Sequence, residues 1–272
     1  MSTTRLHVRH ETRYDYEARV AYSVQRLHLT PSAFASQRVE QWAISAPGID
    51  TALVYTDGFG NRVHVTTVMD FTGPVTIVAE GVVHSTDASG IVKGLISATP
   101  DAVYLRQTKA TQPSAAMKAM SERISAKRAN SLETLHLLMA GIHEHVTYEL
   151  GTTHTHTTAA EAYADGRGVC QDHAHIFAGT ARAMGIPARY VTGYLVIGEG
   201  ASSTAAHAWA EAFVPDLGWV GFDPANCKCP TDHYVRVAAG LDAAGAAPIR
   251  GARRGGLSEA MAVEVKVEIA QQ

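Results

Sequence analysis

The spacing of apolar residues changes character along the chain. From residue 1 to about 88, apolar positions come in short runs and alternations with polar neighbours, the period of half-buried strands. Val39, Gln41, Ala43 and Ser45 alternate with Glu40, Trp42 and Ile44. Leu53–Thr56 and Val63–Val68 flank Asp57-Gly-Phe-Gly-Asn61, a hairpin turn, and Val75–Val78 and Val82–Val83 follow Gly73-Pro74. Residues 89–113 are a poorly patterned connection punctuated by Gly90, Gly94, Pro100 and Pro113. Beyond it the period lengthens. Ala116, Met117, Met120 and Ile124 mark one amphipathic helix, and Leu132, Leu135, Leu138, Met139, Ile142 and Val146 mark a second. Lys118, Arg123, Lys127 and Arg128 are a solvated basic face. Thr158-Ala-Ala-Glu161 is a capping-box signature for a short third helix. A loop with Gly166 and Gly168 then delivers Cys170 to a fourth helical pattern. Ala174, Phe177, Ala178, Ala181 and Met184 recur there until Gly185 and Pro187 stop it.

After Pro187 the pattern is extended again, through Ala188–Ile197, a polar loop at Gly198–Thr204, and Ala206–Val214. In the last of these, Ala206, Ala208, Ala210 and Ala212 share one face, while His207, Trp209, Glu211 and Phe213 share the other. An all-alanine face lets another element pack closely. Pro215-Asp-Leu-Gly218 is a turn, and Trp219-Val-Gly-Phe-Asp223-Pro224 returns as a second strand. Gly240–Gly256 is expected to be an irregular surface segment, and Met261–Ile269 alternates strictly enough to be a half-buried strand. The sum is an α+β chain. A β-rich N-terminal domain spans 1–88, a connection 89–113, and a core that includes the C-terminal strand 114–272.

Composition narrows the function classes. A 272-residue chain with 46% hydrophobic and 18% charged residues is an ordinary globular protein. Its net charge of −3 points to neither nucleic acid nor a membrane surface. The N-terminus lacks the apolar core of a secretion signal, and no later stretch could span a membrane. Three cysteines, two of them one residue apart, make no disulfide framework, so a cytoplasmic location is expected. Two His-x-His pairs, His143/His145 and His154/His156, lack a carboxylate or cysteine at ligand spacing and are expected to be loop and surface residues. No metal and no cofactor is expected.

Cys170 is the candidate nucleophile. At a helix start it sits among unpaired N–H groups and the positive end of the dipole, which favour the thiolate. A lone cysteine there is more often a small buried hydrophobe. His207 and Asp223 follow at separations of 37 and 16 residues, on successive strands of one hairpin. A histidine to take the thiol proton and a carboxylate to fix its tautomer complete a nucleophilic triad. The hairpin register constrains this arrangement. A two-residue loop at Asp216-Leu217 would set His207 opposite Asn226 and turn Asp223 to the wrong face. The triad therefore predicts an odd loop length or a bulge, for which Gly218 and Gly221 are available.

Gly-Val-Cys170-Gln-Asp-His-Ala-His, then Gly-Ile-Pro-Ala-Arg-Tyr-Val-Thr-Gly-Tyr, then Ala-His207-Ala-Trp-Ala-Glu, then Gly-Trp-Val-Gly-Phe-Asp223-Pro together resemble the bacterial transglutaminase-like family over about residues 150–240. The β-rich start also looks like the N-terminal domain that accompanies this core. The resemblance implies a papain-like core with the nucleophile-bearing helix packed on an antiparallel sheet. It also implies acyl transfer on a carboxamide through Cys170, His207 and Asp223 and a thioester. Hydrolysis of a peptide, isopeptide or other amide leads; transamidation of protein glutamine and non-catalytic peptide binding are the alternatives. The Cys170 N–H is the first expected oxyanion donor, and Tyr148 is a candidate second. Gln171, Asp172 and Trp209 flank nucleophile and base and are expected along the cleft. His173 departs from a commonly aromatic position, and Ala225 and Cys227 from Thr or Asn. Cys227 and Cys229, with His233, are read as reduced thiols in a loop rather than a metal or redox site.

Overall fold

The computed structural model describes residues 2–95, 98–127, 130–196 and 206–270, so the polar loop Gly198–Thr204 and Arg128 lie outside the described residues. Residues 3–86 form six strands: β1 (Thr3–Tyr16), β2 (Val20–Thr30), β3 (Gln37–Ser45), β4 (Leu53–Thr56), β5 (Arg62–Phe71) and β6 (Val75–Thr86). Period-two alternation explains them. In β1, Leu6, Val8, His10, Thr12 and Tyr14 are buried while Arg9, Glu11 and Arg13 face outward. Asp57 makes the β4–β5 turn by accepting from the Phe59 and Asn61 N–H groups, each at 2.9 Å.

The connection supplies β7 (Ile91–Val92), and the helical region follows as α1 (Ala115–Ser125) and α2 (Ser131–His145), N-capped by Ser114 and Asn130. Next come β8 (Thr147–Tyr148), α3 (Ala159–Asp165) with its Thr158–Glu161 capping box, β9 (Arg167–Gly168) and α4 (Cys170–Ala183). The chain ends in strands β10 (Ala188–Leu195), β11 (His207–Val214), β12 (Gly218–Phe222), β13 (Tyr234–Gly240), β14 (Ile249–Gly255) and β15 (Glu259–Ile269). Helix α4 is buried along most of its length. It lies on the β11 face made by Ala208, Ala210 and Ala212, while α1, α2 and α3 cover its other sides. Gly179 lets this packing close up, since a Cβ there would lie 2.0 Å from the Thr111 carbonyl oxygen. No helix among the described residues is long and apolar enough to cross a membrane.

Strand pairing corrects the expected division of the chain. The core sheet runs β13-β10-β11-β12-β7, so part of the connection is its edge strand. The N-terminal sheets run β15-β1-β6-β3 and β14-β2-β5-β4. The C-terminal strand therefore belongs with residues 3–86, not with the core, and pairs with β1 from Leu6↔Ile269 to Tyr16↔Glu259. Alternation fixed its face but carried no information about its partner. The segment expected to be irregular contains β14, which pairs with β2; Arg253 lies over the Tyr16 ring at 5.2 Å.

Two side-chain amides from the N-terminal sheets do for β13 what a further strand would. Gln37 accepts from Arg236 N–H at 2.7 Å and donates to its carbonyl at 2.8 Å. Asn61 does the same to Ala239, at 2.8 and 2.7 Å. Both are buried, and together they satisfy backbone groups on the edge of the core sheet. On the face of that sheet away from α4, Glu211 lies between two arginines, 2.6 Å from Arg189 Nε and 2.7 Å from Arg236 Nε, with all three side chains almost fully buried. Burial would raise the Glu211 pKa, but the two guanidinium charges and their hydrogen bonds outweigh it and hold it down to about 2. Arg189 also stacks on Trp219, 4.1 Å from the ring centre.

Candidate active site

The β11–β12 hairpin has the irregularity the triad requires. Val214 pairs with Gly218 and Ala210 with Phe222, so the loop is Pro215-Asp216-Leu217, three residues. Asp216 and Gly218 take the positive φ angles, 68° and 83°, that such a loop needs. An odd loop puts Asp223 on the His207 side. It follows the last residue of β12 and is held by paired hydrogen bonds with Lys228, at 2.9 and 3.2 Å. His143, on α2, fastens the same turn through its Nδ1 to the Pro224 carbonyl, at 3.0 Å.

His207 Nε2 donates to Asp223 Oδ2 at 2.6 Å. With Nε2 committed there, Nδ1 is the nitrogen left for Cys170. Burial alone would lower the His207 pKa, but hydrogen bonds to Asp223 and Cys170, with their charges, bring it up to about 9. Asp223 is fully buried; burial would raise its pKa, yet its bonds to His207, Asn226 and Tyr234 leave it below the usual carboxylate value. Trp209 stacks beside the imidazole (6.2 Å, 27°) and Tyr234 meets it edge-on (5.9 Å, 62°). Cys170 opens α4, half-buried among Ala174, Tyr190, Ala208 and Ala246.

The flanking residues are placed differently from expectation. Asp172 is fully buried and does not line a cleft. Its Oδ2 accepts from Val169 N–H at 2.9 Å and from the Thr153 hydroxyl at 2.6 Å, clamping the start of α4 to the preceding loop. Trp209, 2% exposed, is packing behind His207 rather than an open wall. Gln171 reaches away, to the Thr155 carbonyl at 3.5 Å. Tyr148 is 48% exposed; the parallel pairing of β8 with β9 brings it opposite Gly168. Partial burial and the nearby Cys170 and Asp223 charges raise its phenol. His173, at the departure from an aromatic residue, points both ring nitrogens at carbonyls, Val169 at 2.9 Å and Val146 at 3.0 Å, joining the start of α4 to the end of α2.

The remaining candidates stay apart. His145 Nε2 bonds the Tyr163 carbonyl at 2.8 Å, and His233 pairs with Asp232 at 3.1 Å. Cys227 is exposed, while burial, aided by the Asp87 charge, pushes the half-buried Cys229 thiol up to about 11. Among the described residues no three potential ligands gather to hold a metal. Sequence reading missed Asn226 and Tyr234. Asn226 Nδ2 lies 2.7 Å from Asp223 Oδ2 and 3.4 Å from His207 Nε2, and the Tyr234 hydroxyl donates to the same Oδ2 at 2.8 Å. Asn226, three residues after Asp223 in a tight turn, was the more findable of the two.

Known proteins bear on the same elements. Residues 118–224, which contain all three triad positions, match the transglutaminase-like superfamily, and residues 6–84 match the bacterial transglutaminase-like N-terminal region. The uncharacterized protein ML0607 of Mycobacterium leprae is 30% identical over 282 residues, covering 97% of this chain and 98% of its own length. The uncharacterized protein Rv2569c of Mycobacterium tuberculosis is 28% identical over 280 residues, covering 92% of this chain and 87% of its own. A solved structure described as a putative cysteine protease, from Cytophaga hutchinsonii, superposes with a TM-score of 0.79 over 100% of this chain and 92% of that one, at 20% identity. The chain thus belongs to the transglutaminase-like superfamily and carries the bacterial N-terminal region of that family.

Proposed function

We propose that this protein is a cysteine-dependent acyl-transfer enzyme that cleaves a peptide, isopeptide or other amide bond, with Cys170 as nucleophile. The observation that carries the reading is the His207 imidazole bound to buried Asp223 through Nε2, with Cys170 at its other edge. Cys170 as thiolate attacks the amide carbon, and the Cys170 N–H at the start of α4 receives the developing oxyanion, with Tyr148 a candidate second donor. The His207 imidazolium gives its Nδ1 proton to the leaving amine, leaving a Cys170 thioester. His207, now neutral, takes a proton from water as the water attacks the thioester. The carboxylic acid leaves, and thiolate and imidazolium are restored. Asp223 keeps Nδ1 aimed at sulfur and stabilises the imidazolium in both half-reactions.

The test is turnover of peptide, isopeptide and γ-glutamyl substrates with and without a labelled amine, against Cys170→Ala. Ammonia or peptide release that depends on Cys170 and proceeds without amine incorporation supports hydrolysis. Amine incorporation accompanying that release would replace it with transamidation. Full turnover by the Cys170→Ala variant would overturn the reading.

A further inference from the structure

We propose that Tyr234 is a positioning residue whose hydroxyl holds the Asp223 carboxylate against His207; the inference rests on the triad reading above. Three donors converge on one oxygen, Asp223 Oδ2: His207 Nε2 at 2.6 Å, Asn226 Nδ2 at 2.7 Å and the Tyr234 hydroxyl at 2.8 Å. Among the described residues the other oxygen receives only the longer Asn226 N–H bond, at 3.3 Å. Asp223 lies one residue past the end of β12, so no regular strand pairing fixes its side chain. Asn226 belongs to the same turn as Asp223 and moves with it. Tyr234 does not. It opens β13, on the far side of the sheet from β12, and is the donor that ties the carboxylate to a separate, rigid element.

Tyr234 is itself fixed on every side. The N-terminal sheets bracket it: Thr4 donates to Asp232 at 2.8 Å, and the Gln37 amide grips Arg236 through both backbone groups. Its ring stands edge-on to Trp209 (5.5 Å, 87°) and to His207, and it is 3% exposed, so no solvent competes for the hydroxyl. The ionisable groups around it are Asp223, Lys228, whose ammonium lies 5.8 Å from the ring centre, and Cys229; those facing His207 are Asp223 and Cys170. Burial and the Asp223 charge push the phenol far above its usual value, so it donates throughout the working pH range. A donor on Oδ2 draws off part of the carboxylate's basicity. Without it, Asp223 pulls harder on the imidazolium proton but is less well aimed.

Tyr234→Phe removes the hydroxyl and keeps the ring. Turnover is followed against pH, and the pH dependence of Cys170 alkylation by iodoacetamide is read by peptide mass mapping, which separates Cys170 from Cys227 and Cys229. We expect kcat to fall about tenfold with KM unchanged. The alkaline limb of both profiles should move upward by about half a pH unit. Unchanged profiles, or lost stability and activity with the limb in place, would reduce Tyr234 to packing and overturn the inference. Alkylation needs no substrate, so the inference can be judged even if every amide tested is refused. Activity surviving in Cys170→Ala would instead sink the triad reading itself.

Discussion

Asp223→Asn is the sharpest perturbation of the site, because the geometry says which features survive it. An amide oxygen in the place of Oδ2 still accepts from His207, Tyr234 and Asn226, so the imidazole keeps its orientation. The amide NH2 then takes the place of Oδ1, where the Asn226 N–H now donates, and two donors meet at 3.3 Å. The charge is lost outright. Burial is the largest influence on His207 and lowers it, and the Asp223 charge and hydrogen bond are the main influences against it. Without that charge His207 should fall from about 9 to its ordinary value near 6.5 or below. A drop of roughly 2.5 units is about 3.4 kcal/mol of lost imidazolium stabilisation, or roughly 300-fold in any step that needs the imidazolium. The assay is the pH profile of Cys170 alkylation, read at that peptide. The alkaline limb should move down by about two units in the variant. A profile superimposed on that of the unmodified protein would show that Asp223 does not set the protonation of His207, and the electrostatic account of the site would fail.

Three further outcomes are expected. Glu211→Ala strands two buried guanidinium groups and should cost about 3–5 kcal/mol of stability by urea unfolding; a loss below 1 kcal/mol would mean that the stacking of Arg189 on Trp219 and Tyr104 already compensates for the lost carboxylate. His10 and His175 are buried and held down to about 4, so the unfolded chain binds protons that the folded one refuses between pH 6.5 and 4. Their contribution is whole above 6.5 and drains away as pH falls toward 4, roughly 3 kcal/mol each at most, and His10→Gln should flatten that dependence measurably. His207 runs the other way, its stabilisation complete below about 6.5 and lost as pH rises through 9. Gln37→Ala uncovers the Arg236 N–H and carbonyl and should cost about 2–4 kcal/mol. A small cavity of about 40 Å³, lined by both residues, favours the low end because water can enter. An unchanged melting temperature would show that the amide does not hold the sheet edge.

What the sequence made legible was what periodicity and turn chemistry encode locally. The α4 stripe, the alanine face of β11 and the Thr158 capping box each followed from residues within a few positions of one another. The odd loop at Pro215–Leu217 was legible for another reason: two chemically demanding residues had to share a face, and only one parity allows it. Long-range choices left no such trace. Alternation in β15 is the same whether its partner is β13 or β1, so the return of the C-terminus to the N-terminal sheets could not be read. Glu211 likewise looked like one large residue on a strand face. Its two arginines come from β10 and β13 and meet it only through sheet order.

The same asymmetry separates the two kinds of residue at the site. Cys170, His207 and Asp223 stand out in the sequence because their residue types carry nucleophile-and-base chemistry and their spacing sets them at a helix start and on one hairpin. Tyr234 and Gln37 act through ordinary hydrogen bonds to buried atoms, and a tyrosine or glutamine in a strand signals nothing by itself. Yet, on the reading proposed above, the grip of the Gln37 amide on β13 bears on how Asp223 is held. Gln37 on β3 bonds β13, β13 presents Tyr234, and the Tyr234 hydroxyl reaches the Asp223 carboxylate that also accepts from His207. The N-terminal sheets are therefore bonded into the support of the Asp223 carboxylate, and the β1–β15 pairing ties the last strand of the chain to the same scaffold. A core cut out at the apparent boundary near residue 113 would lose Thr4, Gln37, Asn61 and the partners of β14 and β15 at one stroke. On this structure it should neither close its sheet edge nor hold Asp223, whatever the state of Cys170.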